Sequence, residues 1–314
     1  MKTVCITGCL GFIGSHFTRS CLQKGWQVWG IDKKTYAARE EYLKEFGRSK
    51  SFTFKEADIS EMDHLYEVDY VINFAAETHV DNSIVDSKRF LKSNIMGVQN
   101  LLELIRAKRH YEMPVLVQIS TDEVYGDIKA GRHKESDPLT PSNPYSASKG
   151  AADLLIAGWH RTHDVPYLIV RPTNNYGMGQ YPEKLIPKAV KYLNLGKKIP
   201  LHGDGSYIRS WLHVEDTCSA IFHLLEQGKL NRVYNIAGNY EAANREVVSK
   251  ILHRYFKKKT KLEDHVKFNY VRMGEDIRYS LDDSPLRRLG WSNRKQFDRE
   301  IGVIVDHYRK RFIW

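Results

Sequence analysis

The sequence lacks several features that would each assign it to a particular class of protein. No run approaches the roughly 20 apolar residues that a membrane-spanning helix needs. The apolar stretch near Met1 is also too short for the core of a signal peptide. The cysteines have neither metal-ligand spacing nor a paired framework, and they are Cys5, Cys9, Cys21 and Cys218. We therefore expect a cytoplasmic protein with buried thiols.

Signals for metal and nucleic-acid binding are missing as well. The 13 histidines form no HxxxH or mixed Cys/His set, so we expect no metal site. The basic runs 106–110 and 256–261 end helical patterns and lack the interleaved aromatic residues of a nucleic-acid-binding surface. The excess of 48 Lys and Arg over 38 Asp and Glu favours an anionic ligand. Charge alone does not choose that ligand, but neither nucleic acid nor a membrane is an expected partner.

Short apolar runs alternate with helix-length segments over the first 171 residues. The runs are apolar throughout, as in strands buried on both faces of a parallel sheet, and they span 3–7, 26–31, 51–54, 70–76, 115–120 and 167–170. Helical patterns lie between them at 12–24, 87–107 and 145–163. The alternation predicts a doubly wound, Rossmann-type α/β fold with residues 1–171 as its main domain.

The pattern changes after residue 171. Gly and Pro cluster in 171–184 and 199–206, strand-like runs become sparse, and helical patterns follow at 213–227 and 244–257. We expect a smaller lobe over 172–314, made mainly of loops and helices, that covers the carboxyl edge of the sheet. The apolar run 233–238 predicts one more buried strand, so the chain is expected to return to the main domain at about 205–240.

A glycine-rich turn follows the first predicted strand. The stretch "CITGCLGFIGSH" places Gly8, Gly11 and Gly14 at GxxGxxG spacing before the first helix. Glycines let the backbone turn tightly and approach a pyrophosphate, which then faces the helix N-terminus. Asp32 ends the second strand, near the roughly 20-residue offset of the acid that binds an adenosine ribose. This combination predicts a dinucleotide site and favours NAD over NADP.

Three residues close to this motif bear on the cofactor. Lys33 and Lys34 follow Asp32 directly, and their charge weakens the preference for a ribose without a 2′-phosphate. Asp58, after the third predicted strand, is a candidate acceptor for the adenine amino group, with a plain surface acid as the competing interpretation.

Two further motifs carry candidate chemistry. "PYSASKGAADLL" places Tyr145 and Lys149 four residues apart on one face of a helix. A tyrosine of ordinary pKa, about 10, is a poor base at neutral pH, so a nearby cation is needed to lower it. "VLVQISTDEVYG" places Asp122 and Glu123 directly after a buried strand, with Tyr125 expected to be exposed in the closing turn. Solvated acids that cap a helix are the alternative interpretation of this pair.

These motifs together resemble the extended short-chain dehydrogenase/reductase superfamily. "STDEVYG", "NPYSASKGAADLL", "RPTNNYGMGQYPEKLIP" and "HGDGSYIRSWLHVED" resemble its nucleoside-diphosphate-glucose 4,6-dehydratases in particular, and the similarity spans about residues 2 to 311. The acid pair is the more specific signal, because the sister epimerases share the YxxxK motif but usually lack adjacent acids.

The resemblance implies a reaction and a role for each catalytic residue. Tyr145, assisted by Lys149, would be the base when NAD⁺ oxidises carbon 4 of the hexose. Glu123 would then remove the hydrogen on carbon 5 and Asp122 would protonate the departing hydroxyl of carbon 6. Thr121 would hydrogen-bond the sugar near carbon 4. The product would be the 4-keto-6-deoxyglucose nucleotide.

The resemblance also implies the ligand contacts. The residues expected around NAD are Gly8, Gly11, Phe12, Ile13, Gly14, Asp32, Lys33, Asp58, Ile59, Ala75, Ala76, Tyr145 and Lys149. Those expected around the substrate are Thr121, Asn174, Lys184, Arg209, Asn244 and Arg272. Glu275 stands where bacterial thymidine-type members typically carry His, so the contact at that position is in doubt. dTDP-glucose is favoured, with UDP-glucose close behind.

Other interpretations remain open at this point. A nucleotide-sugar 4-epimerase or decarboxylase would use the tyrosine but not the acid pair. A 5,6-dehydratase is a closer rival to the 4,6-dehydratase than either of these. A catalytically silent, dinucleotide-binding regulatory protein is the alternative from another class. The resemblance further implies a homodimer formed through the helices at 87–107 and 145–163.

Overall fold

A computed structural model of the chain describes residues 1–311. Its strands, in chain order, are β1 (Thr3–Thr7), β2 (Gln27–Asp32), β3 (Phe52–Glu56), β4 (Tyr70–Asn73), β5 (Val115–Ile119), β6 (Tyr167–Pro172), β7 (Asn174–Tyr176), β8 (Ile199–His202), β9 (Ile208–His213), β10 (Arg232–Ile236), β11 (Tyr240–Ala243) and β12 (Val266–Tyr270). Its helices are α1 (Phe12–Gln23), α2 (Glu40–Phe46), α3 (Val80–Val85), α4 (Lys88–Phe90), α5 (Gly97–Arg106), α6 (Pro144–His163), α7 (Leu185–Asn194), α8 (Val214–Gln227), α9 (Asn244–Phe256), α10 (Leu262–His265), α11 (Ser284–Arg288) and α12 (Phe297–Lys310).

A seven-stranded parallel sheet forms the centre of the molecule. Its order is β10-β6-β5-β4-β1-β2-β3, so the strands fan out to both sides of β1. The apolar runs fill it as predicted: Val4, Ile72 and Val117 are fully buried because helices cover both faces of the sheet. The predicted doubly wound, Rossmann-type α/β fold is confirmed, and its carboxyl edge becomes the natural place for a ligand.

The segment after residue 171 contains more strand than its sequence indicated. β7, β9 and β11 form a three-stranded sheet, and β8 pairs with β12. These strands were not predicted, because they are only three to six residues long and separated by Gly-rich turns. Helices and loops still make up most of the segment, as expected. Tyr176 and Trp211 anchor their core.

The region 205–240 is divided between the two sheets. β9 belongs to the three-stranded sheet, whereas β10 pairs with β6 at the edge of the large one. Between them, α8 packs against α1 through stacked Phe17 and Phe222 rings whose centroids lie 4.5 Å apart. The division of the chain at residue 171 stays a prediction.

The predicted helix 87–107 is interrupted. A π-helical turn at Leu91–Met96 separates α4 from α5. This turn brings the buried Asn94 amide against α6, where it donates to the Ser148 hydroxyl at 2.8 Å and also to the Glu77 carbonyl at 3.0 Å. Such turns recur at functional sites, and this one fixes the helix that carries Tyr145.

Two compositional expectations concern the cysteines and the helices. The four cysteines are buried as free thiols, as predicted, and burial raises the pKa of Cys5 to about 12. Within residues 1–311, none of the helices combines the length and apolar character that crossing a membrane requires.

Candidate active site

An open cleft runs along the carboxyl edge of the large sheet. The space between its walls is about 1530 Å³ when the open solvent at the mouth is included. The predicted site residues that line it are Gly8, Gly11, Phe12, Ile13, Gly14, Asp32, Lys33, Asp58, Ile59, Ala75, Ala76, Thr121, Asp122, Glu123, Tyr145, Lys149, Asn174 and Lys184. The other three, Arg209, Asn244 and Arg272, lie outside this lining.

The glycine turn is shaped so that larger residues would collide with the backbone. Gly8 has φ +68°, and a Cβ there would lie 2.7 Å from the Ala75 nitrogen. A Cβ on Gly14 would lie 2.1 Å from the Gly8 carbonyl oxygen. Gly11 is the N-cap of α1, so the positive end of that helix points into the cleft. This cradle fits the pyrophosphate of a dinucleotide.

The acids near the expected ribose and adenine are held by local contacts. Asp32 accepts the Leu10 and Lys34 backbone N–H groups at 3.0 and 2.8 Å. The Lys33 ammonium donates to the Ser93 hydroxyl at 2.6 Å and lies 3.5 Å from the Asp58 carboxylate. The Lys34 ammonium lies 2.8 Å from Glu56. Both lysines are therefore engaged by neighbouring side chains, which fits a ribose without a 2′-phosphate.

The adjacent acids lie in a short 3₁₀ turn directly after β5. Thr121 caps this turn, since its hydroxyl accepts the Glu123 N–H at 3.3 Å. The expectation that Tyr125 is exposed was wrong: its ring is fully buried. Gly126 closes the turn with φ +77°, at a point where a Cβ would lie 2.3 Å from the Thr140 carbonyl oxygen. The turn is thus packed into the protein and does not form a solvated cap.

Burial raises the pKa of both acids, and other charges act differently on each. Burial, followed by the charge of Glu123, raises the pKa of Asp122 to about 8. Burial also raises the pKa of Glu123, but the charges of Arg272 and Arg209 oppose the rise. The Asp122 Oδ2 atom is buried without a hydrogen-bond partner. The pair is therefore suited to one proton donor and one proton acceptor.

Tyr145 and Lys149 face the same cleft from α6. The Lys149 ammonium donates to the Ile119 carbonyl at 2.6 Å, and burial lowers its pKa to about 8 although Asp153 opposes this. Burial, followed by the charge of Glu123, raises the pKa of Tyr145, whereas Thr121 acts in the opposite direction. Tyr145 therefore needs a positive charge in the cleft before it can act as a base.

Sequence reasoning missed Asn143. Its side chain caps α6 by accepting the Ser146 N–H at 2.9 Å, and its amide nitrogen lies 3.5 Å from Glu123 Oε2. The signal was present, because Asn followed by Pro two residues before Tyr145 is a typical helix start. Asn143 thus orients the helix and the acid together.

A buried polar network stands behind the acid pair. Asp153 accepts from the Ser120 hydroxyl and from Arg171 Nε, both at 2.9 Å. Arg171 also donates to the Tyr125 hydroxyl at 2.7 Å, which in turn donates to Asn235 at 2.9 Å. These contacts hold both ends of the acid-bearing turn. We call Thr121, Asp122, Glu123, Tyr145 and Lys149 the catalytic side of the cleft.

The other predicted substrate residues form the nucleotide side, comprising Asn174, Lys184, Arg209, Asn244 and Arg272. Asn174 Oδ1 is buried without a partner, so it can accept from a ligand. Lys184 donates to the Thr78 carbonyl at 2.9 Å. Asn244 begins α9, and its backbone N–H donates to the Tyr207 carbonyl at 3.0 Å.

The two arginines of the nucleotide side meet at Glu275. Arg209 Nη2 donates to Glu275 Oε1 at 3.0 Å, and Arg272 Nε lies 2.6 Å from Oε2. His202, which sequence reasoning missed, lies 2.7 Å from the same Oε2. Its only signal was its place before the Gly-Asp-Gly turn at 203–205. Since both arginines also act on the pKa of Glu123, the two sides of the cleft are close.

The chain is similar to known proteins over almost its whole length. The family model described as GDP-mannose 4,6 dehydratase matches residues 5–302. A dTDP-glucose 4,6-dehydratase of Streptomyces niveus is 41% identical over 99% of this chain and 94% of its own length. The low-salt glycan biosynthesis protein Agl12 of Haloferax volcanii is 40% identical over 97% of this chain and 98% of its own.

Solved structures agree with the sequence relatives. The dTDP-glucose 4,6-dehydratase DesIV of Streptomyces venezuelae, with NAD and dTDP bound, superposes with a TM-score of 0.92 at 36% identity, covering 98% of this chain and 97% of its own. A UDP-glucuronic acid 4-epimerase of Bacillus cereus reaches 0.90 at 25% identity, covering 98% and 99%. The overall fold therefore does not separate dehydratase from epimerase. The family match over residues 5–302 shows that this chain belongs to the GDP-mannose 4,6-dehydratase family, within the extended short-chain dehydrogenase/reductase superfamily.

Proposed function

We propose that this protein is an NAD-dependent hydro-lyase that converts an NDP-glucose to the NDP-4-keto-6-deoxyglucose. The observation that carries the proposal is the adjacent pair of the buried Asp122 and the partly buried Glu123, placed in one cleft with Tyr145 and Lys149. An epimerase needs the tyrosine but has no step that uses two acids. The relatives named dTDP-glucose 4,6-dehydratase support the same reaction.

The chain's own residues supply each proton transfer. Tyr145 takes the proton of the carbon 4 hydroxyl, with the Lys149 cation favouring its ionised form. Oxidation at carbon 4 acidifies the hydrogen on carbon 5, which the Glu123 carboxylate removes as a proton and gives back to carbon 5 when the hydride adds to carbon 6. The pKa of Asp122 is about 8, so this acid is protonated at neutral pH. It gives its proton to the departing carbon 6 hydroxyl. Thr121 hydrogen-bonds the sugar near carbon 4.

NAD fits the part of the cleft that is formed by the glycine turn and by Asp32. When bound, it supplies the acceptor for the carbon 4 hydride and returns that hydride to carbon 6. Gly8, Gly11 and Gly14 would hold its pyrophosphate, and Asp32 would hold its adenosine ribose. Since the cofactor ends in its starting oxidation state, the reaction consumes no external reductant.

The nucleotide side binds the diphosphate and nucleoside of the substrate. Planar guanidinium groups match phosphate geometry, which assigns Arg209 and Arg272 to the diphosphate. Asn174 offers a buried acceptor without a partner of its own. dTDP-glucose is the favoured substrate, since several relatives at 35–41% identity carry that name, and UDP-glucose is the second candidate.

Product mass tests this function. Purified protein is incubated with dTDP-glucose and UDP-glucose in parallel, without added reductant. Loss of one water from either sugar is expected, and the relative rates identify the base. If both sugars keep their mass, the dehydratase assignment fails, and NMR of the same samples then distinguishes a 4-epimerase from a silent protein.

We further propose that the enzyme is a cytoplasmic homodimer. Apolar side chains are exposed along the helices at 80–106 and on α6: Val85 is 88%, Met96 54% and Leu154 66% exposed. A second copy packing on this surface would bury them in a four-helix interface. Equilibrium ultracentrifugation is expected to give twice the chain mass, and a single chain mass would rule the dimer out.

A further inference from the structure

Glu275 is an acid in contact with both arginines of the nucleotide side, and no step of the proposed reaction uses it. Its side chain is 7% exposed. Burial raises its pKa, but His202, 2.7 Å away, and the charges of Arg272 and Arg209 outweigh burial, so the pKa of Glu275 lies below its usual value. The side chain is therefore an anion at neutral pH, held by groups that also suit a phosphate.

The N–H donors of Arg209 show which edge of its guanidinium Glu275 occupies. Arg209 Nη1 is directed at two backbone carbonyl oxygens, those of Ile208 at 2.8 Å and Ile277 at 3.4 Å. A guanidinium has five N–H donors, so the donors left for a ligand are those on Nη2 and Nε. Glu275 takes one of these at 3.0 Å. The carboxylate thus lies on the ligand-binding edge of the arginine.

Arg272 is shared in the same way. Its Nε lies 2.6 Å from Glu275, and its Nη1 lies 3.7 Å from Asp81. The carboxylates of Glu275 and Asp81 thus offset the two guanidinium cations where a diphosphate brings about two negative charges. Arginine forks bind carboxylate and phosphate with the same geometry. Glu275 and a diphosphate therefore compete for the same donors.

We propose that Glu275 sets the affinity of the nucleotide side: it is an internal anion that holds Arg209 and Arg272 in the free protein and that the diphosphate of the substrate must displace. This proposal rests on the proposed function for the identity of the ligand. It also predicts that the product nucleotide is bound more weakly than the two arginines would bind it without Glu275.

The segment that carries Glu275 can move at little cost in apolar burial. Val271 is 80%, Met273 75% and Ile277 53% exposed. The segment is attached instead by polar contacts, including the hydrogen bond from Ser142 to Asp276. If the arginines exchange their contacts with Glu275 for contacts with a phosphate, the hydrophobic core therefore stays intact.

Calorimetric binding of dTDP and UDP tests the proposal without turnover. Glu275→Gln keeps the shape of the side chain and removes its charge, and it should lower the Kd about tenfold, equivalent to about 1.4 kcal/mol. The matched control is Glu241→Gln, which removes a negative charge from the neighbouring strand β11, where Glu241 pairs with Arg278 instead. Its Kd should stay within about twofold of the wild-type value.

The direction of the change in Kd distinguishes a Glu275 that competes with the nucleotide from a Glu275 that only holds the arginines in place. If Glu275 only held the arginines in place, Glu275→Gln would bind the nucleotide more weakly, and an unchanged or higher Kd overturns the proposal. A crystal structure of the wild-type protein with dTDP or UDP gives a second test that needs no variant. At least one Arg–Glu275 contact should be broken there, and finding both intact beside the diphosphate would also overturn it.

Failure of this proposal is distinguishable from failure of the proposed function. Water loss from an NDP-glucose combined with weaker binding by Glu275→Gln would leave the dehydratase assignment standing and remove only the role of Glu275. Absence of nucleotide binding by the wild-type and both variants would remove the two together.

Discussion

The two sides of the cleft are held by different kinds of contact. The catalytic side is supported by a network in which Asp153 is 2% and Arg171 4% exposed, and every link is a direct hydrogen bond. On the nucleotide side, Arg272 lies in a segment whose neighbour Val271 is 80% exposed. Proton transfer needs fixed atoms, whereas a nucleotide must enter and leave. The catalytic side, where bonds change, is thus held rigidly. The nucleotide side, where a ligand is released, is held by exchangeable ion pairs.

Removing the base should give the largest effect. Tyr145→Phe keeps the ring in its buried position and removes the hydroxyl, so carbon 4 oxidation should slow about 1000-fold, or about 4 kcal/mol. Single-turnover absorbance of the reduced cofactor measures this step. Tyr111→Phe, at a ring that is 76% exposed, is the control. An unchanged rate in Tyr145→Phe would remove the tyrosine from the mechanism.

Breaking the network behind the catalytic side should mainly cost stability. Arg171→Met leaves the Asp153 carboxylate buried without its cation, which costs about 3 kcal/mol in the free energy of unfolding. Arg254→Met removes the exposed arginine that pairs with Asp306 between α9 and α12 and should leave unfolding almost unchanged. Urea denaturation measures both. Equal, small losses would mean that the network does not brace the turn.

Glu123→Gln should separate the two halves of the reaction. Without a base for the carbon 5 hydrogen, water elimination should fall about 100-fold, or about 2.7 kcal/mol, while carbon 4 oxidation continues. Reduced cofactor should then accumulate on the protein, as read by its absorbance. Glu112→Gln, where the side chain is 48% exposed, is the control. Water loss at the native rate in Glu123→Gln would show that this residue is not the base.

Asp122→Asn should give a gain in stability that depends on pH. The pKa of Asp122 is about 8 in the folded protein against a usual 3.8, so the folded state binds the extra proton and stability falls as pH rises from about 4 to about 8. Asparagine lacks this penalty. The free energy of unfolding of the variant should therefore exceed that of the wild type at about pH 8, and the difference should disappear near pH 4. A difference that is independent of pH would contradict the raised pKa.

The sequence predicted the catalytic side in detail because its geometry is local. Tyr145 and Lys149 share a helix face at a spacing of four, and Asp122 and Glu123 follow a buried strand by two residues. Both relations follow from element periodicity alone. The burial of Tyr125 was missed because it depends on Arg171 and Asn235, which are 46 and 110 residues away in sequence.

The nucleotide side was predictable only as a set of residue types. Arg209 and Arg272 were proposed from the resemblance, but their meeting point at Glu275 joins segments 66 residues apart. No periodicity encodes such a contact. The short strands β7 to β9, β11 and β12 were missed for the same reason, since three-residue to six-residue strands take their stability from their partners.

Isotope tracing tests the central claim most directly. NDP-glucose carrying deuterium at carbon 4 is incubated with the protein, and the product is examined by NMR. We expect a 4-keto sugar with deuterium in the carbon 6 methyl group, because the hydride removed from carbon 4 returns to carbon 6 after water is lost. A product that keeps its deuterium at carbon 4, or a 4-keto sugar with none at carbon 6, would contradict it.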